Sequence, residues 1–195
     1  GSGDCPLTVR EGRTWLSKSY PDPKVNTMPA KELDDEIENP ALSLKELWFR
    51  YEKDSPDVLR GVSAEVPKGA LYAIVGGNGA GKSTTLKAVC GICKPYRGKV
   101  RVFGKPVEKY KAAELFDGCL AMLPQDPKSL FVKKTVREDL AEMTRDEKKI
   151  AEIASICEID NLLDSHPYDL SGGEQQRSAL AKVLLTDPRL LLLDV

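Results

Sequence analysis

GGNGAGKS, from Gly76 to Ser83, decides the fold. Ahead of it Ala70 to Val75 is an apolar run of strand length stopped by glycines, and from Lys82 to about Ile92 the pattern is helical. Strand, glycine-rich loop and helix, in that order, are the context a phosphate-binding loop requires. Small residues let the backbone of Gly76, Asn78, Gly79, Ala80 and Gly81 curl around phosphate oxygens, and the helix N-terminus adds partial positive charge. Lys82 is expected to reach the β- and γ-phosphates, Ser83 to ligate Mg²⁺ through its hydroxyl, and Thr84 to touch the α-phosphate. A glycine turn without a ligand would not require a lysine and a hydroxyl at these two places. The loop alone does not choose among the enzyme classes that carry it.

Outward from the loop, Leu42, Leu44, Leu47, Phe49 and Tyr51 read as a strand starting near Ala41, and Val62 to Val66 as a second strand after a turn at Ser55-Pro56-Asp57. Downstream, Lys99 to Phe103 and Cys119 to Leu123 read as strands with a helical pattern from Glu108 to Phe116 between them. From about Thr135 to Leu163 the chain is charged and helical, with capping-box starts at Thr135 with Glu138 and Thr144 with Glu147. A last helix, Ser171 to Leu185, leads to the buried strand Leu190 to Leu193.

Composition narrows the partners. Twenty-nine Lys and Arg against 30 acids give a net charge of −1 and a pI near 6.0, so no basic field exists to neutralise many nucleic-acid phosphates. The longest aliphatic run, Leu190 to Leu193, is far short of the roughly 20 residues a membrane helix needs. Cys5, Cys90, Cys93, Cys119 and Cys157, with no secretory leader ahead of them, fit a reducing cytosol. Cys90 and Cys93 lack the second pair that a zinc site would want and read as small packing residues. Gly1-Ser2-Gly3 reads as a cloning scar, and residues 4–40, proline-bearing with an acidic cluster from Glu32 to Glu38, as linker or tail.

LSGGEQQR, Leu170 to Arg177, supplies the class that the loop withholds. A capping box between Ser171 and Glu174 explains those two residues without a ligand. It does not explain Gly172 and Gly173, each of which weakens the first helical turn by roughly 1 kcal/mol relative to alanine. Glycines belong there when something must approach the backbone closely, such as a phosphate drawn to a helix N-terminus.

With SALAKVLL following it, this segment resembles the signature of ABC transporter ATP-binding subunits, in the right order after the phosphate loop. The resemblance implies an α/β P-loop NTPase fold of the ABC-ATPase type, with a mixed sheet, an N-terminal antiparallel β subdomain and a helical insert. The boundaries it implies are 1–40 for tag remnant and linker, 41–195 for an incomplete ATP-binding domain, and about 126–175 for the helical subdomain. In that family Ser171, Gly172 and Gly173 would meet the γ-phosphate of ATP held on a second subunit, with Glu174 among the nucleotide-binding residues, so that two subunits sandwich two nucleotides head to tail. Gln125, closing the strand CLAMLPQ, matches the glutamine that senses Mg²⁺ and the attacking water, a surface glutamine being the alternative. Tyr51 matches the aromatic that stacks on adenine, a contact worth about 1–3 kcal/mol. Phe49 competes for that role. Asp194, after Leu190 to Leu193, matches the carboxylate that holds Mg²⁺ through water, or else simply ends a buried strand.

Lys82, Gln125 and Asp194 are therefore the catalytic candidates, and Ser83, Gln125 and Asp194 the metal candidates. QDPKSLFVKKTVREDL, Gln125 to Leu140, most resembles the ATPases of energy-coupling-factor and cobalt-type importers, which implies ATP and Mg²⁺, a second ATP-binding domain, integral membrane subunits and a place on the inner face of the cell membrane, with transport of a vitamin or metal ion. PLTVREGRTWL looks like the tail of a preceding ATPase unit in members with two units in one chain. A soluble ABC ATPase of translation or repair is the rival, and a P-loop kinase a weaker one.

Two departures stand out. Where the family has a glutamate that polarises water the chain has Val195, which accepts no proton, and a general base contributes about 10²- to 10⁴-fold. Downstream family elements, including the switch histidine, are missing, and the sole histidine, His166, precedes the signature and reads as a surface loop residue. These imply a fragment cut within the ATPase domain, expected to bind ATP weakly or not at all by itself and to hydrolyse it slowly.

Overall fold

The computed structural model describes Arg10, Thr14, Trp15, Lys18 and residues 37–194. The supposed cloning scar, most of residues 4–40 (with Cys5 and, apart from Glu38, their acidic cluster) and Val195 lie outside the described residues. Two compact units are present, Gly1–Glu36 and Ile37–Val195. In the first, the described residues are helical and the Thr14 hydroxyl donates to the Arg10 carbonyl at 3.0 Å. The second holds every candidate site residue up to Asp194.

The second unit opens with an antiparallel sheet. Strand β1 (Leu42–Phe49) pairs with β2 (Leu59–Val66) on one edge and β3 (Arg97–Val102) on the other, and β4 (Lys105–Pro106) extends β3. Along β1 the buried residues are Leu42 and Leu44, then Leu47 and Phe49, a one-residue slip in the alternation. A bulge at Lys45–Glu46 makes the slip, with Glu46 at φ +52°. Gly98 lies against it at φ +99°, where a β-carbon would come within 2.3 Å of the Glu46 carbonyl oxygen, so only glycine fits.

Behind the sheet lie helix α1 (Lys82–Val89) and a parallel pair, β5 (Leu120–Leu123) with β6 (Leu190–Leu193). Leu42, Leu47, Leu59, Val89, Val102 and Leu120 share one core. Helices α2 (Ala112–Phe116), α3 (Val136–Ala141), α4 (Glu147–Ile156) and α5 (Gly172–Leu184) follow. Val136, Leu140, Ile150, Ile159 and Ala181 form a second core within the helical region. Phe131, Ala179 and Val183 join it to β5 through Ala121 and Leu123.

The fold class is as expected, with four local corrections. The expected strand Ala70 to Val75 carries no strand structure: Leu71 is 100% and Val75 88% exposed. A strand needs a neighbour's edge, since β preference is mostly cross-strand packing, and no described strand pairs with this run. The helical pattern from Glu108 to Phe116 breaks at extended Tyr110, which separates a 3₁₀ turn at Val107–Lys109 from the one-turn α2. At α4 the cap is Asp146, accepting from the amides of Lys148 and Lys149, while Thr144 accepts from Asp146 just before the helix. At α3, Thr135 accepts from the Glu138 amide as expected, but the Glu138 carboxylate takes the amide of Lys134 instead of that of Thr135.

One charged pair ties the helical region together. Asp139, fully buried, accepts from the amides of Val132 (3.1 Å) and Lys133 (3.3 Å) and from Lys182 Nζ (2.6 Å). Lys182 on α5 also donates to the Leu130 carbonyl at 2.8 Å. The segment after Gln125 is thereby bolted to both α3 and α5.

Candidate functional site

The glycine loop ends in Gly81, the N-cap of α1, held at φ +90°. A β-carbon there would meet Leu59 Cδ2 at 2.9 Å and the Val58 carbonyl at 3.0 Å, so the turn from loop to helix demands glycine on two counts. No side chain caps this helix, and its first-turn amides keep capacity for an anion. Lys82 Nζ lies folded back on the carbonyls of Gly76 (2.8 Å) and Gly77 (3.0 Å). It therefore spans the loop mouth.

Ser83 and Asp194 are 111 residues apart in the chain and meet, the Ser83 hydroxyl donating to Asp194 Oδ1 at 2.8 Å. Register brings them there: β6 runs parallel to β5, Leu193 pairs with Leu123, and the Asp194 amide donates to the Leu123 carbonyl at 3.0 Å. Asp194 is 9% exposed, placed beneath the loop at the C-terminal end of its strand. A hydroxyl beside a carboxylate is a hard-oxygen donor pair that suits Mg²⁺, an ion commonly held by one or two carboxylates together with phosphates and water. Gln125 follows the end of β5 at the same edge and is exposed, two residues past Leu123. The structure gives it no contact with Ser83 or Asp194.

Tyr51, just beyond β1, is 62% exposed, edge-on to Phe49 with centroids 5.0 Å apart and rings at 82°. Its hydroxyl lies 3.1 Å from Thr84 Oγ1 on the first turn of α1. Phe49, its rival for the stacking role, is 9% exposed and belongs to the core, so of the two only Tyr51 presents a face. An open cleft of about 820 Å³ lies beside it, lined by Tyr51, Ser55, Val58, Arg60, Gly79 and Ala80.

Gly172 and Gly173 are exposed at the start of α5, and β-carbons there would find nothing within 4 Å and only the Arg177 guanidinium at 3.7 Å, respectively. Internal crowding therefore does not explain these glycines. The Ser171 amide (2.8 Å) and hydroxyl (2.6 Å) both donate to Glu174 Oε2, and this hydrogen bonding holds the Glu174 carboxyl below the usual carboxylate range. Gln175 donates to the Pro167 carbonyl and pins the helix start to the preceding turn, where exposed His166 accepts from the Tyr168 amide. Within one chain the structure brings Tyr51, Lys82, Ser83, Thr84 and Asp194 together, and does not bring Ser171–Glu174 to them.

Cys90, Cys93, Cys119 and Cys157 are buried free thiols. Burial pushes the Cys90 thiol up to about 12. No group of three metal-ligating side chains occurs among the described residues.

The sequence model of the ABC transporter family matches residues 59–194. The chain belongs to the ABC transporter family. It is 34% identical over 200 residues to an ABC transporter ATP-binding protein of Clostridium tetani, a match covering 100% of this chain and 44% of that protein. It is 33% identical over 168 residues to the energy-coupling factor transporter ATP-binding protein EcfA1 of Mycoplasma mobile, covering 82% of this chain and 61% of the relative. The chain thus spans less than half the length of the first of these relatives. Among solved structures it superimposes on cbiO1 of Clostridium perfringens, part of the ABC transporter complex cbiONQ, with TM-score 0.69 and 28% identity over 80% of this chain and 66% of that one. A bacterial Atm1-family ABC exporter with ATP bound gives TM-score 0.72 at 28% identity, over 82% of this chain and 30% of the exporter. The candidate site residues from Lys82 to Asp194 therefore lie within the segment that the family's model matches.

Nothing in the order of residues signals that Lys82 turns onto its own loop or that Tyr51 reaches Thr84. Both contacts join residues whose spacing follows no linear pattern.

Proposed function

We propose that the chain is the ATP-binding part of an ABC importer, which uses closure around Mg-ATP and its hydrolysis to drive integral membrane subunits. The observation that carries this reading is the meeting of Ser83 with Asp194 at 2.8 Å under the glycine loop. Fold likeness extends to an exporter as well as to cbiO1, so fold alone does not choose the direction of transport. The likeness to EcfA1 and cbiO1, and the segment Gln125 to Leu140, favour import of a vitamin or a metal ion. No described helix is long and apolar enough to cross a membrane, so membrane-spanning subunits are the partners the reading requires, with this domain lying against the inner face. A soluble ABC ATPase of translation or repair is the second reading, and copurification with a membrane component separates the two.

In this reading each residue has a physical task. Lys82 leaves the Gly76 and Gly77 carbonyls for the β- and γ-phosphates, exchanging two neutral acceptors for charged ones. Backbone amides from Gly76 to Gly81 surround the phosphates, and Thr84 meets the α-phosphate. Ser83 and Asp194 would hold Mg²⁺. Bound there, Mg²⁺ neutralises charge developing on the transferred phosphoryl. Gln125 orients the attacking water, Tyr51 stacks on the base, and Ser171, Gly172, Gly173 and Glu174 of a second copy close the cage. Val195 accepts no proton, so turnover is slow in this chain.

Titration with Mg-ATP, read from ¹⁵N–¹H shifts, tests the reading. Wild-type amides from Gly79 to Ser83 are expected to move with weak affinity, and Lys82→Ala to lower that affinity about 10- to 100-fold through loss of a charged hydrogen-bond donor. No movement at millimolar nucleotide, or equal movement in both proteins, would count against it.

A further inference from the structure

The geometry points to Tyr51 as a latch on its own nucleotide site: its hydroxyl, bonded to Thr84, closes the stretch of the loop mouth where a nucleotide would lie, and opens when the ring turns to take the base. This rests on the nucleotide-binding reading and adds to it a competition inside the chain. Three observations support it. Tyr51 Oη and Thr84 Oγ1 are 3.1 Å apart, although Tyr51 follows β1 and Thr84 sits on the first turn of α1. Thr84 is 6% exposed, and the phenol of Tyr51 occupies a hydrogen-bonding position on its hydroxyl. Tyr51, by contrast, is 62% exposed, and besides the bond to Thr84 its ring meets Phe49 edge-on, so turning the ring leaves the core in place.

The place of the contact gives it consequence. Lys82 and Ser83, the two residues before Thr84, face the phosphates, and the cleft beside Tyr51 reaches Gly79 and Ala80 at the loop tip. In this reading a nucleotide with its base in that cleft and its phosphates in the loop lies beside both Tyr51 and the first turn of α1. The phenol oxygen stands at hydrogen-bond distance from Thr84, where the α-phosphate would go. Binding therefore breaks this bond before the ring can serve the base. The same side chain opposes binding with its hydroxyl and favours it with its ring.

This division has an uncommon signature, because two substitutions at one position move affinity in opposite directions. Tyr51→Phe keeps the ring and removes the bond, and is expected to tighten Mg-ATP binding about 2- to 10-fold, the worth of one ordinary hydrogen bond. Tyr51→Ala removes ring and bond together and is expected to weaken binding, since stacking outweighs the latch. Both changes lie at an exposed position and leave the core intact, which an unchanged urea midpoint verifies. The experiment titrates Mg-ATP into wild type, Tyr51→Phe, Tyr51→Ala and Lys82→Ala, following the amides of Gly79 to Ser83. Tighter binding by the phenylalanine variant with weaker binding by the alanine variant supports the latch. Equal or weaker binding by Tyr51→Phe, while Lys82→Ala still loses affinity, overturns the latch and leaves the nucleotide site standing. Absence of nucleotide-dependent shifts in every variant overturns the site itself, and the latch with it.

Discussion

Lys182→Met is expected to lower the stability of the chain by about 3–5 kcal/mol. The reason is what it leaves behind. Asp139 is fully buried, and without Lys182 its charge has only the amides of Val132 and Lys133 to answer it. A domain of this size has roughly 5–15 kcal/mol in total, so the variant should approach its unfolding midpoint under mild conditions. Adding Asp139→Asn should recover part of the loss, because the charge is gone while the amide oxygen can still accept from Val132. Urea unfolding of the two variants against wild type decides it, and a loss below about 1 kcal/mol for Lys182→Met would show that water reaches the carboxylate.

Gly81→Ala is the second large effect, and it falls on the site. A left-handed conformation costs a residue with a β-carbon about 1–2 kcal/mol, and overpacking against Leu59 and the Val58 carbonyl adds about 1–3 kcal/mol. Relief requires the loop to turn, which moves the amides that face the phosphates. Stability is expected to fall by about 2–5 kcal/mol together with loss of Mg-ATP-dependent shifts. Gly172→Ala is the contrasting case, since the β-carbon meets nothing within the chain and stability should change little. Chemical denaturation with the same titration separates the two glycines, one required by its own fold and the other open to a neighbour.

Most of this fold was legible because its signals are local. Alternation marked β1, the run Leu190 to Leu193 marked β6, and glycines at 76, 79 and 81 announced a loop that must curve tightly. The bulge at Lys45–Glu46 could have been seen in the slipped spacing of Leu42, Leu44, Leu47 and Phe49. Ala70 to Val75 misled because a sequence shows strand composition and not whether a partner edge is present. At the site, Lys82, Ser83 and Asp194 were legible from motif order, and the Ser83–Asp194 contact is a consequence of parallel register between β5 and β6. Asp139 with Lys182 and Tyr51 with Thr84 were not, because a pair 43 or 33 residues apart leaves no trace in spacing.

Exposed Gly172 and Gly173, with room around them and no contact to the phosphate loop of their own chain, point outward. We propose that they read a nucleotide held by a second copy. Sedimentation velocity in millimolar Mg-ATP, compared with nucleotide-free buffer, tests this most directly for wild type and Gly173→Asp, whose carboxylate would repel a γ-phosphate. Wild type should move toward dimer only with nucleotide, and Gly173→Asp should stay monomeric while its own Gly79 to Ser83 amides still shift with Mg-ATP. A wild-type chain whose loop is saturated yet remains monomeric, or a Gly173→Asp variant that dimerises as readily, would contradict the account.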